Sequence, residues 1–296
     1  MVDFRSGVEL LSVCKERGIT IAEAMQLREE HRSELNRTHI RKEMKKNLAV
    51  MQEGVARGLR GDVRSLSGLS GGDAARLLQY APNALLGADA AHAAAAAMAV
   101  VEVNASMGRI VAAPTAGASG ILPGVLVALS EKRGWGAEAL IDALFTAGAV
   151  GMLIASHATI AGADGGCQAE TGSGAAMAAA ALVELNGGTP EMALHAAAIS
   201  LKNVLGLVCD PVGGLVECPC IKRNAIGAVN AMLSADLALC GVVSHIPFDE
   251  VVEAMRAVGA VMRPELRETA LGGLAATPTG REMAARLREG KTLEGF

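Results

Sequence analysis

QAETGSGAAMAAAALVELN, residues 168–186, is the stretch that decides the fold class of this chain. Alanine is the best helix former, and its small side chain lets neighbouring helices approach closely. Gly187-Gly188 ends the predicted helix, and Pro190 stands at the first position of the next one. Alanine and glycine also dominate the rest of the chain, and no strand-like alternation is sustained anywhere. We therefore predict an all-α protein, an Ala/Gly-rich domain of many helices.

The same pattern predicts a series of helices joined by short loops that contain glycine. In the body of the chain their approximate ranges are 74–80, 88–106, 121–132, 137–156, 168–186, 190–205, 221–240, 248–261 and 280–288. Before them, a capping box at residues 6–9 starts a short helix that ends near Gly18. A second box at residues 20–23 starts one longer helix. The apolar stripe of that helix consists of Leu35, Met44, Leu48, Met51 and Val55.

Charged residues divide the chain into two parts. Residues 1–65 contain 23 of the 58 Asp, Glu, Lys and Arg residues, which leaves 35 for the remaining 231 residues. We predict a charged helical N-terminal appendage at 1–66, whose apolar stripe packs on the body or on a partner. A glycine-rich break, SGLSGGD at 67–73, opens one continuous all-helical domain at 67–296. The chemistry is expected to lie in this second part.

Composition excludes several classes of function. The chain has 296 residues, 51% of them hydrophobic, which is ample for a large core. The formal net charge is −4 and only 2% of the residues are aromatic, so the sequence offers no surface typical of nucleic-acid binding. The first ten residues lack the pattern of a signal peptide. Six cysteines without export indicate thiols in a reducing cytoplasm.

One stretch could be interpreted as a membrane span, since the mean hydropathy of the chain is +0.34. Residues 144–163 are nearly uncharged and about long enough to cross a bilayer. They consist largely of alanine and glycine, contain Ser156 and His157, and lack flanking aromatic and basic residues. We therefore predict a buried core helix and no membrane association.

Three cysteines lie beside glycine or proline, where a helix starts or stops. Cys167 precedes the helix that begins near Gln168, Cys220 opens another helix, and Cys209 lies in the loop CDPVGG. At a helix N-terminus the dipole and the free N–H groups favour a thiolate, so we expect lowered thiol pKa values at the two helix starts. Three thiolates are one short of the four that normally enclose an iron–sulfur cluster, and an open iron could do chemistry.

Other interpretations of the cysteines stay open at this point. They could be three buried packing residues, because free cysteine is often buried. They could also hold structural zinc, although such a site usually shows paired spacing and four protein ligands. Cys218 could be a fourth ligand or only a neighbour of the ligands, and we favour the interpretation that it binds no metal. Cys14 and Cys240 fall within helical patterns and are predicted to be packing residues.

Four longer motifs carry a family resemblance. They are GGCQAETG at 165–172, GLVCDPVGGLVECPCIKRNA at 206–225, VEVNASMGRIVAAPTAGASGILPG at 101–124 and LRETALGGLAATPTGRE at 266–282. Together they resemble the iron–sulfur L-serine dehydratases, specifically the α subunit of the two-chain type. The resemblance implies a cytoplasmic lyase of amino-acid catabolism and gluconeogenesis that converts L-serine to pyruvate and ammonia without pyridoxal phosphate. It also implies a [4Fe–4S] cluster on Cys167, Cys209 and Cys220.

The resemblance further implies that part of the enzyme lies on another chain. Single-chain relatives carry an N-terminal domain with a Ser-Ser-Ser-His segment that resembles a substrate carboxylate site, and no such run occurs here. We therefore expect a separate β subunit. Two positions depart from the family pattern. His157 stands where relatives often carry Asn, and Cys218 stands where a small aliphatic residue is usual.

Removal of the serine α-proton needs a base, and three residues are candidates. Lys202 is one of few lysines in the body, and burial could lower its pKa, although it could equally be a surface lysine. His157 could serve, although a single His on an apolar helix is more often a hydrogen-bonded core residue. Glu170, three residues after Cys167, could orient a ligand or only complement the first turn of its helix.

Two short segments are candidates for binding the substrate. PTAGASG at 114–120 offers backbone N–H groups and the hydroxyls of Thr115 and Ser119, as an anion-binding loop does. Arg223 and Asn224 closely follow the last of the three cysteines. They could contact the cluster or the substrate carboxylate, or they could cap their own helix.

Three other functions remain open. A pyridoxal-phosphate dehydratase performs the same reaction, but its usual scaffold is a parallel α/β sheet, and the sequence predicts no strands. A non-catalytic metal-binding or membrane subunit is the second alternative. An L-cysteine desulfidase on a related cluster scaffold is the third, because sulfide elimination needs the same open iron.

Overall fold

The computed structural model describes residues 2–296 and shows a helical protein. Its thirteen α-helices are α1 Gly7–Arg17, α2 Ile21–Ser33, α3 Arg37–Leu59, α4 Asp73–Tyr80, α5 Ala88–Ala105, α6 Ile121–Arg133, α7 Ala137–His157, α8 Gly162–Gly165, α9 Ser173–Leu185, α10 Pro190–Lys202, α11 Cys220–Leu239, α12 Phe248–Val261 and α13 Pro278–Arg288. One π-helical turn, Gln168–Gly172, leads into α9. Within residues 2–296 no strand occurs, and a single isolated bridge joins Cys209 and Arg267.

The all-α prediction is confirmed, and every helix predicted in the body of the chain is present with slightly shifted bounds. The helix predicted at 168–186 begins with the π-helical turn, and α9 follows it. Both predicted N-terminal caps are also present. The Ser6 hydroxyl accepts the Glu9 N–H, and Thr20 and Glu23 form a complete capping box.

The single long helix predicted from residue 20 is wrong, because the chain forms two helices, α2 and α3. Glu34 adopts the left-handed conformation with a φ of 58°, which ends α2. The Asn36 side chain then accepts the His39 N–H at 2.9 Å and caps the start of α3. Leu35 lies in this connection and is exposed, so it does not belong to the apolar stripe.

The N-terminal part packs on the body through the rest of that stripe. α2 packs against α7, and α3 packs against α5 with Leu48, Met51 and Val55 buried. The stripe therefore finds its partner within the chain. The largest hydrophobic core draws residues from both sides of position 66, and the division of the chain there stays a prediction.

Two alanine-rich helices, α5 and α9, form the centre of the fold. Nearly every residue of α5 from Ala91 to Val103 is buried, and α9 is buried from Ser173 to Val183. α5 packs against α3, α4, α6 and α11, whereas α9 packs against α6, α7, α10 and α11. Because alanine projects only a methyl group, the neighbouring helices can approach the backbone of these two helices closely.

Two glycines bring neighbouring segments into contact with the α5 backbone. A Cβ atom on Gly58 of α3 would lie 2.3 Å from the Ala99 carbonyl oxygen. A Cβ atom on Gly120, directly before α6, would lie 2.0 Å from the Ala97 carbonyl oxygen. Both distances are far below a van der Waals contact. Any side chain at these positions would therefore push the segments away from α5.

Substituting Gly58→Ala should destabilise the fold by about 1–3 kcal/mol, because the added methyl group overpacks the contact between α3 and α5. Gly148→Ala is the matched control, since a Cβ atom at this position of α7 meets no atom within 4 Å. That variant should be neutral or more stable by up to about 1 kcal/mol. Urea unfolding followed by circular dichroism measures both. Equal midpoints for the two variants would contradict the close contact at Gly58.

α7 is long and apolar enough to cross a membrane by length and composition alone. In the fold, 67% of its most apolar 18-residue stretch is buried inside the protein. The helix packs against α9 and α2. Core helices pass the same length test as membrane spans, so the burial favours the predicted core helix.

Candidate active site

Three segments bring Cys167, Cys209 and Cys220 into one region, and we call these residues the cysteine group. Cys167 is buried directly before the π-helical turn, a feature that is frequent at functional sites. Cys209 is buried in the loop between α10 and α11, and its backbone hydrogen-bonds to Leu266 and Glu268. Cys220 is the first residue of α11 and is partly buried. The three thiols lie close enough for their charges to interact.

The thiol pKa values of the cysteine group are raised. Burial is the largest cause at each residue, because a thiolate loses its hydration there. The pKa of Cys220 rises to about 12, and negative charge at Cys167 and Glu170 adds to the effect of burial. The expectation of lowered pKa values is therefore wrong, because desolvation by burial outweighs the influences that lower these pKa values, such as the positive charge of Arg223. Iron binding at these residues would displace the thiol protons.

Glu170 lies between the cysteine group and the 114–120 loop. Its Oε1 accepts a hydrogen bond from Thr115 Oγ1 at 2.7 Å, and its Oε2 accepts one from Cys209 Sγ at 3.7 Å. Burial raises the pKa of this carboxyl group, and the negative charge of Glu268 adds to the rise. Among the three candidate bases, Glu170 is therefore in contact with the cysteine group.

Two glycines let the backbone approach the Glu170 carboxylate. A Cβ atom on Gly162 would lie 2.5 Å from Glu170 Oε2 and 2.9 Å from Cys209 Sγ. A Cβ atom on Gly117 would lie 3.1 Å from Glu170 Oε1. A side chain at Gly162 would displace the carboxylate, the thiol or both. Glycine at these positions thus preserves the arrangement of the two reactive groups.

Arg223 joins α11 to the loop that precedes it. Its Nη1 donates to the Val208 carbonyl oxygen and its Nη2 donates to Asp210 Oδ1, both at 2.8 Å. Asp210 is buried, and its second oxygen accepts the Leu274 N–H at 2.7 Å. The guanidinium therefore anchors this loop. Its positive charge also opposes the rise that burial causes in the pKa of Cys167.

Asn224 holds the 114–120 loop against α11. Its Oδ1 accepts the Gly120 N–H at 2.9 Å, and its Nδ2 donates to the Gly117 carbonyl oxygen at 2.6 Å. Ser119 is fully buried, and its hydroxyl donates to a carbonyl oxygen of the same loop. The polar groups of Asn224 and Ser119 are thus engaged with the protein, and their substrate-binding role stays a prediction.

Lys202 and His157 make their hydrogen bonds elsewhere. The Lys202 Nζ donates to the Ser244 carbonyl oxygen at 2.5 Å. His157 is exposed at the end of α7, where its Nε2 meets the Arg5 carbonyl oxygen. Neither side chain hydrogen-bonds to the cysteine group, in contrast to Glu170. Their assignment as bases stays a prediction.

Three residues of this region are not among those predicted from the sequence, although the sequence carries a signal for each. Thr171 lies one helical turn after Cys167, and its Oγ1 is 3.0 Å from the Cys167 Sγ. Asp210 directly follows a cysteine and binds the arginine of α11. Glu268 belongs to the motif at 266–282, and its negative charge adds to burial in raising the pKa of Cys209.

The other three cysteines, Cys14, Cys218 and Cys240, do not belong to the cysteine group. Cys14 is buried in the main hydrophobic core, as the helical pattern predicts. Cys240 is exposed directly after the end of α11, so its predicted packing role is wrong. The helix ends at Leu239, and the side chain after it points to no core. Cys218 is partly buried, and in the sequence it lies between Gly213-Gly214 and Cys220.

The thiols of the cysteine group are the type of donor that binds iron–sulfur clusters. Among residues 2–296, no three His, Cys, Asp or Glu side chains lie close enough together to hold one ion. In an iron–sulfur cluster each iron takes its own protein thiolate, so the ligand sulfurs are farther apart than the ligands of one ion. Three converging thiols, with a carboxylate and glycine backbone beside them, suit a [4Fe–4S] cluster.

The family model of the serine dehydratase alpha chain matches residues 16–275. The chain belongs to this family. It is 52% identical to the probable L-serine dehydratase, alpha chain, of Bacillus subtilis (strain 168) over 286 residues, 96% of this chain and 95% of that protein. It is 50% identical to the L-serine dehydratase, alpha chain, of Peptoniphilus asaccharolyticus over 278 residues, 93% of this chain and 95% of that protein.

A third relative shows how the alpha chain compares with a longer enzyme. The chain is 41% identical to the L-serine dehydratase of Streptomyces coelicolor over 280 residues, which is 92% of this chain and 60% of that protein. This alpha chain therefore matches other alpha chains over nearly their whole length, and the longer enzyme over part of its length. The alpha-chain name implies that a second chain exists.

Proposed function

We propose that this chain is the α subunit of a two-chain L-serine dehydratase and carries its [4Fe–4S] cluster on Cys167, Cys209 and Cys220. The observation that carries the proposal is the convergence of these three thiols, two buried and one partly buried, around Glu170. The alpha chains that it matches at 50–52% identity are named for serine dehydration. A reducing cytoplasm is the compartment that such thiols require.

Serine dehydration removes the α-proton and expels hydroxide, a poor leaving group, from the β-carbon. When bound, the cluster supplies an open, Lewis-acidic iron for the departing β-oxygen. The residues of this chain have to hold serine beside the cysteine group and take up the α-proton. Aminoacrylate then tautomerises and hydrolyses to pyruvate and ammonia in water.

Glu170 is the residue of this chain that we assign to the α-proton. The Thr115 hydroxyl fixes its Oε1, which leaves Oε2 facing the cysteine group. A base has to lie within hydrogen-bond reach of the proton that it takes. A serine bound at the cysteine group satisfies this condition for Glu170.

Arg223 and Asn224 act as positioning residues in this assignment. Arg223 fixes the loop around Cys209 through Val208 and Asp210. Asn224 fixes the 114–120 loop against the first turn of α11. The backbone N–H groups of that loop are the groups of this chain that we assign to the substrate carboxylate, because the single Thr115 hydroxyl proton is donated to Glu170.

Substituting Glu170→Gln should lower kcat by about 10²–10⁴-fold, because glutamine can still accept the hydrogen bond from Thr115 but cannot take a proton. The visible absorbance of the cluster should stay, since no cysteine is changed. Pyruvate formation from L-serine and the spectrum are measured on the same anaerobic sample. An unchanged kcat would remove Glu170 from the reaction.

Lys202→Met and His157→Gln are the comparison variants for that assay. Both should keep most of the activity, because their side chains bind the carbonyl oxygens of Ser244 and Arg5. If Lys202→Met abolishes turnover while the cluster spectrum is intact, the lysine and not Glu170 is the base.

The overall function is tested by co-expressing the chain with a candidate β chain under anaerobic conditions. Pyruvate from L-serine, together with a brown chromophore that dithionite bleaches, supports the proposal. A pyridoxal absorbance band, zinc with full coordination, or sulfide from L-cysteine without pyruvate from L-serine would each replace it by the corresponding alternative.

A further inference from the structure

A patch of large apolar side chains lies exposed along α11 and the segment that follows α4. We call it the α11 patch. Its members are each more than half exposed and line one cavity, and they are Leu86, Ile226 and Leu233. Isolated exposed apolar residues are ordinary, whereas a contiguous group marks an interaction site.

The α11 patch surrounds a cavity of about 430 Å³. Leu77, Ala94, Val204 and Val229 form much of its wall, and the polar residues along it are Asn203 and Asn230. The two asparagines hydrogen-bond to each other, so the cavity offers few groups for a polar ligand. An apolar centre with a thin polar margin is the composition of the core of a protein–protein interface.

Two members of the α11 patch, Ile226 and Leu233, lie on the helix that begins with Cys220. At 1.5 Å per residue they lie about 9 Å and about 20 Å along the helix from that cysteine. At about 100° per residue, Ile226 and Leu233 share one face of the helix, and Cys220 lies about 120–140° around the axis from it. A domain-sized partner seated on this face would therefore lie beside the cysteine group and could reach it around the start of α11.

We infer that the α11 patch is the surface on which the β chain docks. This inference rests on the proposed two-chain enzyme. The alpha-chain name implies a second chain, and 40% of the longer Streptomyces coelicolor enzyme lies outside the match with this chain. A chain that completes the substrate pocket has to contact this protein beside the cysteine group, and the α11 patch is an apolar surface on a helix that carries one of those cysteines.

A second exposed apolar area is the strongest competitor for this role. It surrounds a cavity of about 410 Å³ and includes Val8, Val243 and Ile246. Its walls come from α1, α10, α12 and the segment before α12, none of which carries a member of the cysteine group. This position favours the α11 patch as the docking surface for a chain that contributes to the active site.

The test is the double variant Ile226→Glu/Leu233→Glu, co-expressed anaerobically with the candidate β chain. Both side chains are exposed and glutamate is a good helix former, so α11 and the cluster should form normally. We expect the affinity for the β chain, measured by biolayer interferometry, to fall by about tenfold or more. Pyruvate formation should fall with it, while the cluster absorbance stays at the wild-type level.

Val8→Glu/Ile246→Glu is the matched control, because it places the same two negative charges in the competing apolar area. It should leave the affinity unchanged. Wild-type affinity in Ile226→Glu/Leu233→Glu would overturn the inference, as would a loss confined to Val8→Glu/Ile246→Glu. Loss of self-association with unchanged β-chain binding would assign the patch to a second copy of this chain. If the wild-type pair forms no cluster or no pyruvate, the proposed function fails instead.

Discussion

Substituting Cys209→Ala should abolish the iron–sulfur absorbance and serine dehydration together. Cys209 is buried, and its thiol contacts Glu170 at the centre of the proposed site. Without one of three protein ligands the cluster loses an anchored iron. A Lewis-acidic metal contributes several kcal/mol to transition-state stabilisation, so turnover should fall by more than about 10²-fold. Cys167→Ala and Cys220→Ala should behave in the same way.

Iron and acid-labile sulfide content, the visible spectrum and pyruvate formation measure this result on anaerobically purified two-chain enzyme. Cys240→Ala is the control, because that thiol is exposed at the end of α11. Cys218→Ala tests the neighbour of the ligand group and should retain the cluster. Full turnover by Cys209→Ala would show that the cysteine group is not the metal site.

Purified without a β chain, this chain should produce no pyruvate from L-serine above the rate measured without enzyme. The polar groups of Arg223, Asn224 and Ser119 are engaged by protein atoms. Few side-chain donors near the cysteine group are therefore left for a substrate carboxylate. Because positioning of the substrate supplies a large part of the barrier reduction, a half-complete pocket should be inactive.

Activity should appear when the β chain is added to the cluster-loaded chain, in proportion to the complex formed. The spectrum of the chain alone controls for cluster loss, since a missing cluster would also abolish turnover. Substantial turnover by the cluster-loaded chain alone would contradict the two-chain assignment and would place the whole substrate pocket on this chain.

The positions of the helices follow from local sequence patterns. The same patterns show that the three cysteines lie at or near helix ends. Runs of alanine, the caps at Ser6 and Thr20, and glycine at helix ends each act within a few residues, so they predict helix bounds well. The break between α2 and α3 escapes this reasoning. It depends on a left-handed residue that is Glu34 and not glycine, and on a cap from Asn36 inside an apolar stripe.

The arrangement of the site cannot be read from local patterns. Glu170 meets Thr115 and Cys209 only because the π-helical turn before α9, the 114–120 loop and the loop before α11 converge in space. The prediction of lowered thiol pKa values is wrong for a related reason. A helix start is visible in sequence, but the depth of burial that raises the pKa of Cys220 depends on the elements packed around it.

The contact between Gly120 and α5 links the packing of the core to the position of the Glu170 carboxylate. The Ala97 carbonyl oxygen leaves no room for a single methyl group at Gly120, and five residues earlier in the same loop Thr115 holds the Glu170 carboxylate. The loop and the carboxylate therefore take their positions from one reference surface, the backbone of α5. Natural variation should accordingly be most restricted along a row of methyl-sized residues that never touch the substrate.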